Sequence, residues 1–171
     1  MGTAAFFLVG PVAGGALVPW LLTGWRLRPA PAWYLPVRVL GAVLVVVGAA
    51  FVVSAYVRFA REGRGTPAPF APPDRLVVGG EYRYVRNPMY VAVTATILGQ
   101  ALLLWRPVLL IYAAVVATAF VAFVLGYEQP TLSRQFGASY EAYRRAVPAW
   151  WPRWRPWHPD YDGRSDRDVR G

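Results

Sequence analysis

No cysteine and no lysine occur in this chain, and its single histidine, His158, lies near the C-terminus. Without cysteine there is no disulfide, no thiolate metal ligand and no thiol nucleophile. One histidine leaves zinc sites and Ser-His or Cys-His catalysis without their parts, so no metal is expected. Acidic groups are scarce too: nine Asp and Glu stand against eighteen arginines, giving a formal net charge of +9. What is abundant is apolar surface. Hydrophobic residues make up 56 % of the 171 positions, too many for an ordinary soluble domain, and the length suits one domain. The arginines flank long apolar runs rather than forming one soluble basic face. That pattern points to a lipid bilayer with anionic headgroups and away from nucleic acid.

The runs themselves predict an all-α integral membrane protein. Residues 4–25 are nearly uncharged, and at ~1.5 Å per residue this stretch reaches about 33 Å, enough to cross a bilayer core. It lacks a basic leading region, so it reads as a retained helix, not a signal peptide. Gly10 and Gly14 form a GxxxG spacing that suits packing by another helix. A short Pro-rich connection with Trp33 and Tyr34, residues suited to the membrane interface, leads to a second predicted span at 38–59. Arg61 to Gly80 carries Pro67, Pro69, Pro72 and Pro73 and cannot be a continuous helix. Asn87-Pro88 marks the start of a third span at 88–105, because Asn is a favoured N-cap and Pro a favoured first residue. Trp105-Arg106-Pro107 is a tight turn into a fourth span at 107–127, which makes the third and fourth helices antiparallel neighbours.

Beyond Glu128 the periodicity changes. Leu132, Phe136, Tyr140, Tyr143 and Val147 fall on one helical stripe, with Ser133, Arg134, Glu141, Arg144 and Arg145 on the other faces. This predicts an amphipathic helix lying at the interface or folding back over the bundle. Pro130 predicts a kink at its start. Trp150, Trp151, Trp154 and Trp157 read as interface anchors, and 160–171 reads as a disordered charged tail. Four arginines lie in the first and third connections, and fourteen in the middle loop and C-terminal region. The positive-inside rule therefore places both termini and the middle loop in the cytoplasm, at the cytoplasmic membrane if the source is prokaryotic.

Three blocks stand in order: Leu76-Val77-Val78-Gly79-Gly80-Glu81-Tyr82-Arg83-Tyr84-Val85-Arg86-Asn87-Pro88-Met89-Tyr90, then Glu128-Gln129-Pro130-Thr131-Leu132, then Phe136-Gly137 with Tyr140, Tyr143 and Val147-Pro148. Together, over about residues 74–152, they resemble the isoprenylcysteine carboxyl methyltransferase family, and related phospholipid N-methyltransferases share much of the pattern. The resemblance implies an S-adenosylmethionine-dependent membrane methyltransferase comprising residues 1–171 as a single domain, with the cofactor between the start of the third span and the end of the fourth. By position it implies cofactor contacts at Leu76, Val77, Tyr82, Asn87, Pro88, Met89, Tyr90 and Glu128. The acceptor implied is lipophilic or anionic, reached from the bilayer, with Arg86, Arg144 and Arg145 as candidate headgroup contacts. Phospholipid or small-molecule N- or S-methylation, and a non-catalytic lipid-binding protein of the same fold, are the alternatives.

The residues support part of this directly. An unpaired Glu128 at the membrane edge is costly, and a cationic cofactor is a natural partner for it. Free N–H groups at the start of the third span suit a carboxylate, and Tyr82 and Tyr90 suit stacking or a sulfonium. Each also has a plainer reading: a helix start at Asn87-Pro88, a span end at Glu128, interface tyrosines, and lipid phosphate for Arg144 and Arg145. Where many members of the family have His, this chain has Asn87; the family's Glu-Glu pair is Glu128-Gln129; and an arginine frequent one turn earlier is Val124. An amide is not a base near neutral pH, so no catalytic residue is assigned, Asn87 and Glu128 being the nearest candidates. Transfer is then expected to rest on orientation and a dry site.

Overall fold

The computed structural model describes residues 12–62, 76 and 78–158, apart from the side chains at 55, 56 and 58–62. Residues 4–11 of the first predicted span, Gly10 of the GxxxG pair, most of the Pro-rich loop, Val77 and the tail from Asp160 lie outside the described residues, as do the side chains of Arg58, Arg61, Arg64 and Arg75.

All regular structure among the described residues is helical. A π-helical turn, Ala13–Leu17, runs into α1 (Val18–Thr23), and a 3-10 turn, Ala32–Tyr34, opens α2 (Leu35–Glu62). A second 3-10 turn, Gly80–Arg83, precedes α3 (Pro88–Leu104). Helix α4 (Pro107–Phe123) passes through a π-helical turn, Val124–Glu128, into α5 (Gln129–Ala146). Two stretches, Ala32–Ser54 and Pro107–Ala146, are long and apolar enough to cross a membrane; Ala13–Thr23 and Pro88–Leu104 are shorter apolar helices.

Helix α3 is the hub, in contact with α2, with α4 and with the π-helical turn before α1. Val93 and Ile97 pack with Ala113, Val52, Val116 and Phe120, and Ala101 and Leu104 pack with Leu109 and Tyr112. The outer faces of α2 and α4 stay apolar yet exposed, as at Val39, Val43, Val46, Ile111 and Val115, the pattern of helices that are hydrophobic all round. The α2–α3 crossing is held close by glycine. A Cβ on Gly41 would fall 2.5 Å from the Leu103 nitrogen and 2.7 Å from the Gly99 oxygen, and one on Gly99 2.8 Å from the Gly41 oxygen. Only backbones without side chains approach this closely, as in small-residue packing between membrane helices.

Proline sets the first contact. Pro19 has no N–H, so the carbonyls of Gly14 and Gly15, five and four residues back, lose their helical donors. Both are satisfied from neighbouring helices: the Tyr112 hydroxyl donates to Gly14 (2.9 Å) and Gln100 Nε2 to Gly15 (2.6 Å). Gln100 Oε1 in turn accepts from Trp25 Nε1 (3.1 Å). Replacing Gln100 by Leu is therefore expected to cost about 1–3 kcal/mol by leaving a buried carbonyl bare. Unfolding of the variant in detergent, monitored by circular dichroism, checks this; unchanged stability would mean that Gln100 is not the donor.

At that same end, Trp105 ends α3 in the left-handed region (φ 53°). Its ring lies against Tyr34 (3.9 Å between centroids) and Trp33 (6.0 Å), and the turn returns the chain into α4 as expected. The Pro130 kink is placed differently. The chain stays helical through Glu128, Gln129 and Pro130, and the turn immediately before is widened to π, with the Gln129 N–H bonded to the Val124 carbonyl. A widened turn relieves the clash between a proline ring and the carbonyl four residues back. The residue that leaves helical geometry is Gly137 (φ 50°, ψ −124°), a conformation natural to glycine.

Candidate functional site

The polar groups gather at the opposite end, where α3 begins and α4 ends. Gly80, at φ 53°, turns the chain into the Gly80–Arg83 3-10 turn. The Ser54 hydroxyl of α2 donates to Glu81 and ties this turn to the bundle. The predicted stripe closes over it. Tyr140, Tyr143 and Val147 are buried with Leu76, Val78, Leu132, Phe136 and Trp157, and the Tyr143 hydroxyl donates to the Tyr82 carbonyl at 2.7 Å. Helix α5 thus folds back over the bundle end rather than lying apart from it.

Asn87 precedes α3 as its N-cap residue, but its side chain makes no capping bond. Its amide and its backbone N–H both donate to the Ala149 carbonyl, at 3.1 and 3.3 Å, while the Arg86 N–H donates to Pro148 (2.9 Å). The chain from 148 to 158 continues this pairing as a strap: the Arg153 N–H donates to Tyr84 (2.9 Å) and the Trp157 N–H to Arg83 (3.1 Å). Arg83 Nη1 also meets His158 Nε2 at 3.3 Å. No pattern in the sequence announces this strap, because it uses backbone groups. Of the four C-terminal tryptophans, Trp157 packs inward on Tyr143 (5.4 Å) and Trp150 is half-buried, so Trp151 and Trp154 alone project.

Within this frame the Tyr90 hydroxyl donates to Glu128 Oε2 at 3.0 Å, joining the first turn of α3 to the π-helical turn that follows α4. Tyr90 also stacks on Phe120 (4.6 Å). Arg86 donates to the Tyr140 hydroxyl (3.4 Å) and lies within electrostatic reach of Glu128. Tyr82 lies within reach of both Tyr90 and Tyr143. The first and second sequence blocks therefore meet at Tyr90 and Glu128, and the third meets the first at Tyr143–Tyr82 and Arg86–Tyr140. Pro88 and Met89 are buried at the helix start, and Leu76 packs under Tyr140 and Tyr143. Arg144 and Arg145 remain exposed and engage Glu141, Arg144 through an ion pair (3.2 Å) and Arg145 through its carbonyl (3.4 Å).

Two buried polar atoms beside this cluster, Arg86 Nε and Thr131 Oγ1, have no hydrogen-bond partner. Thr131 follows Glu128 by three residues, hence on the same helix face; it stands in the second block but was not among the expected contacts. An unsatisfied buried donor costs about 1–3 kcal/mol, so a polar ligand is a natural complement. Burial raises the hydroxyl pKa of Tyr143, on α5 beyond the fourth predicted span (107–127), above its ordinary range. Burial raises Tyr140 as well, opposed by Arg86. A raised folded-state pKa gives stability that is complete below the unfolded value, near 10, and lost as pH climbs above it. Tyr143→Phe is accordingly expected to flatten the alkaline loss of stability above about pH 10 while costing about 1 kcal/mol at neutral pH. Melting temperatures measured across that range test both.

A family model described as phospholipid methyltransferase matches residues 37–139. Over 74 residues the chain is 38 % identical to the protein-S-isoprenylcysteine O-methyltransferase of Schizosaccharomyces pombe, covering 43 % of this chain and 31 % of that protein. The match thus spans less than a third of that relative's length. No solved structure matches the chain. The family match begins near the start of α2, takes in α3, α4 and the meeting of Tyr90 with Glu128, and ends within α5, more than half of the sequence: the chain belongs to the phospholipid methyltransferase family.

Proposed function

We propose that this protein is an integral membrane methyltransferase that uses S-adenosylmethionine and methylates a lipophilic acceptor taken from the bilayer. The observation that carries the reading is the Tyr90–Glu128 hydrogen bond with Arg86 beside it, which brings a carboxylate, a hydroxyl and a guanidinium together at the junction of two apolar helices. Segments 4–25, 38–59, 88–105 and 107–127 are the four spans, α5 lies at the cytoplasmic surface, and the termini and site are cytoplasmic. This orientation rests on the arginine distribution.

The donor set suits the cofactor. Glu128 complements an ammonium or sulfonium, Arg86 Nε and Thr131 Oγ1 offer unfilled hydrogen bonds, and Tyr82 and Tyr90 offer aromatic faces. Leu76, Val77, Asn87, Pro88 and Met89 complete the cofactor wall. When bound, S-adenosylmethionine supplies an electrophilic methyl group on a sulfonium. The chain's own work is to orient the reactants and exclude water. Asn87, whose amide is committed to Ala149, takes no proton. An acceptor that is already ionised, such as a carboxylate, needs none removed, which favours O-methylation over an amine or thiol. Val124, fully buried one turn before Glu128, gives an apolar wall there.

Titration of the purified protein in detergent with S-adenosylmethionine is expected to show saturable binding. Labelled cofactor should then pass its methyl group to prenylcysteine or another anionic lipid in a panel that includes phospholipids and small thiols. A folded sample with no measurable binding would end this reading.

A further inference from the structure

Trp154 is 99 % exposed and Trp151 81 % exposed, on a segment whose backbone is otherwise fastened to the site. The strap carrying them supplies the carbonyls of Pro148 and Ala149 that hold Arg86 and Asn87, and receives the carbonyls of Tyr84 and Arg83. It is fastened at its start as well, where Arg153 Nη1 donates to the Ala146 carbonyl at 2.9 Å. Two large indoles are left outside this well-bonded strap, with no partner among the described residues. Their neighbourhood is basic: Arg144, Arg145 and Arg155 are exposed there, and Glu141 is already taken by Arg144 and Ser133. Indole beside arginine matches the interfacial layer of a bilayer, where the ring meets the acyl boundary and the guanidinium meets phosphate.

We infer that Trp151 and Trp154 dock the strap into the anionic headgroup layer of the membrane, and that this docking holds the Arg86–Asn87 corner of the site in place. The inference rests on the membrane placement proposed above. Lipid docking and the order of the site are then linked equilibria, since the segment that carries both indoles is the one bonded to residues 83–87. Site competence is thereby tied to the presence of negatively charged lipid.

The test uses the full chain in nanodiscs of phosphatidylcholine with phosphatidylglycerol, with part of the lipid brominated on its acyl chains. Wild-type protein is compared with Trp151→Ser/Trp154→Ser, and with Trp33→Ala at the opposite end. The double variant is expected to lose a component of bromolipid-quenched fluorescence, and its Arg86 and Asn87 amides are expected to exchange with solvent at least about tenfold faster. Trp33→Ala should leave that exchange unchanged. Discs of phosphatidylcholine alone should move the wild type towards the double variant. Indoles at 151 and 154 that are quenched by aqueous iodide as freely as indole in water would overturn the inference. So would shielding from both quenchers, which would mark a protein partner or a second copy, and so would unchanged amide exchange. If the membrane placement itself fails, bromolipid quenching is absent from every tryptophan; if docking alone fails, it is absent from Trp151 and Trp154. Neither readout requires cofactor binding.

Discussion

Glu128→Ala is expected to weaken S-adenosylmethionine binding by about 100-fold, or ~3 kcal/mol, the scale of removing one partner from a buried charge pair. The carboxylate sits where α4 ends, hydrogen-bonded to Tyr90 and near Arg86. It is the negative group that the described part of this cluster presents to a cationic ligand. Tyr90→Phe keeps the ring stacked on Phe120 and removes only the hydroxyl, so a smaller loss of about 1 kcal/mol, near fivefold, is expected. Glu141→Ala is the control: that carboxylate faces Ser133 and Arg144 at the surface, where an ion pair contributes about 0–1 kcal/mol. Calorimetric titration of the three variants decides the matter. Equal losses at Glu128 and Glu141 would show that the cofactor lies elsewhere.

Gly99→Val is expected to be the most damaging single change in the bundle, costing upwards of ~3 kcal/mol. Its first added carbon falls 2.8 Å from both the Gly41 oxygen and the Val45 nitrogen, and 2.9 Å from the Leu44 Cβ. Two of these are backbone atoms of α2, and no rotamer change moves them aside. The helices must separate, and the cores that α3 builds with α4 separate with them. Gly126→Ala serves as the comparison, because nothing lies within 4 Å of the added carbon and alanine favours a helix by up to ~1 kcal/mol. Thermal unfolding in detergent with size-exclusion chromatography measures both. A Gly99→Val protein as stable as the wild type would mean that α2 and α3 do not cross at this point.

Much of this was legible in the order of residues. Long uncharged runs predicted α2, α3 and α4 to within a few residues, Asn87-Pro88 predicted where α3 begins, and the Leu132–Val147 stripe named the residues that α5 buries. The resemblance spread over three blocks named Tyr90 and Glu128 each as a cofactor contact; their hydrogen bond to one another appears only in the fold. What escaped was carried by the backbone or by distance along the chain. The strap bonds through carbonyls at 148 and 149, which every residue possesses. The Gly41–Gly99 crossing joins helices whose glycines are ordinary one at a time; two full turns between Gly41 and Gly48, one helix face, was the only trace. Pro130 announced a break, but its missing N–H is accommodated by the widened turn before it, and the chain leaves helical geometry at Gly137 instead.

That wider turn sets a phase relation. A π turn holds one residue more than an α turn, so everything after Val124–Glu128 is advanced by about 100° relative to an unbroken helix. The turn sets the direction in which the first half of α5, up to the break at Gly137, faces relative to α4, which packs on α3. Substitution at Gly126 leaves that phase intact, whereas deletion of one residue there is expected to turn Leu132 and Phe136, which precede the Gly137 break, away from Tyr140 and Tyr143. For this protein the number of residues between Val124 and Glu128 matters more than their identity.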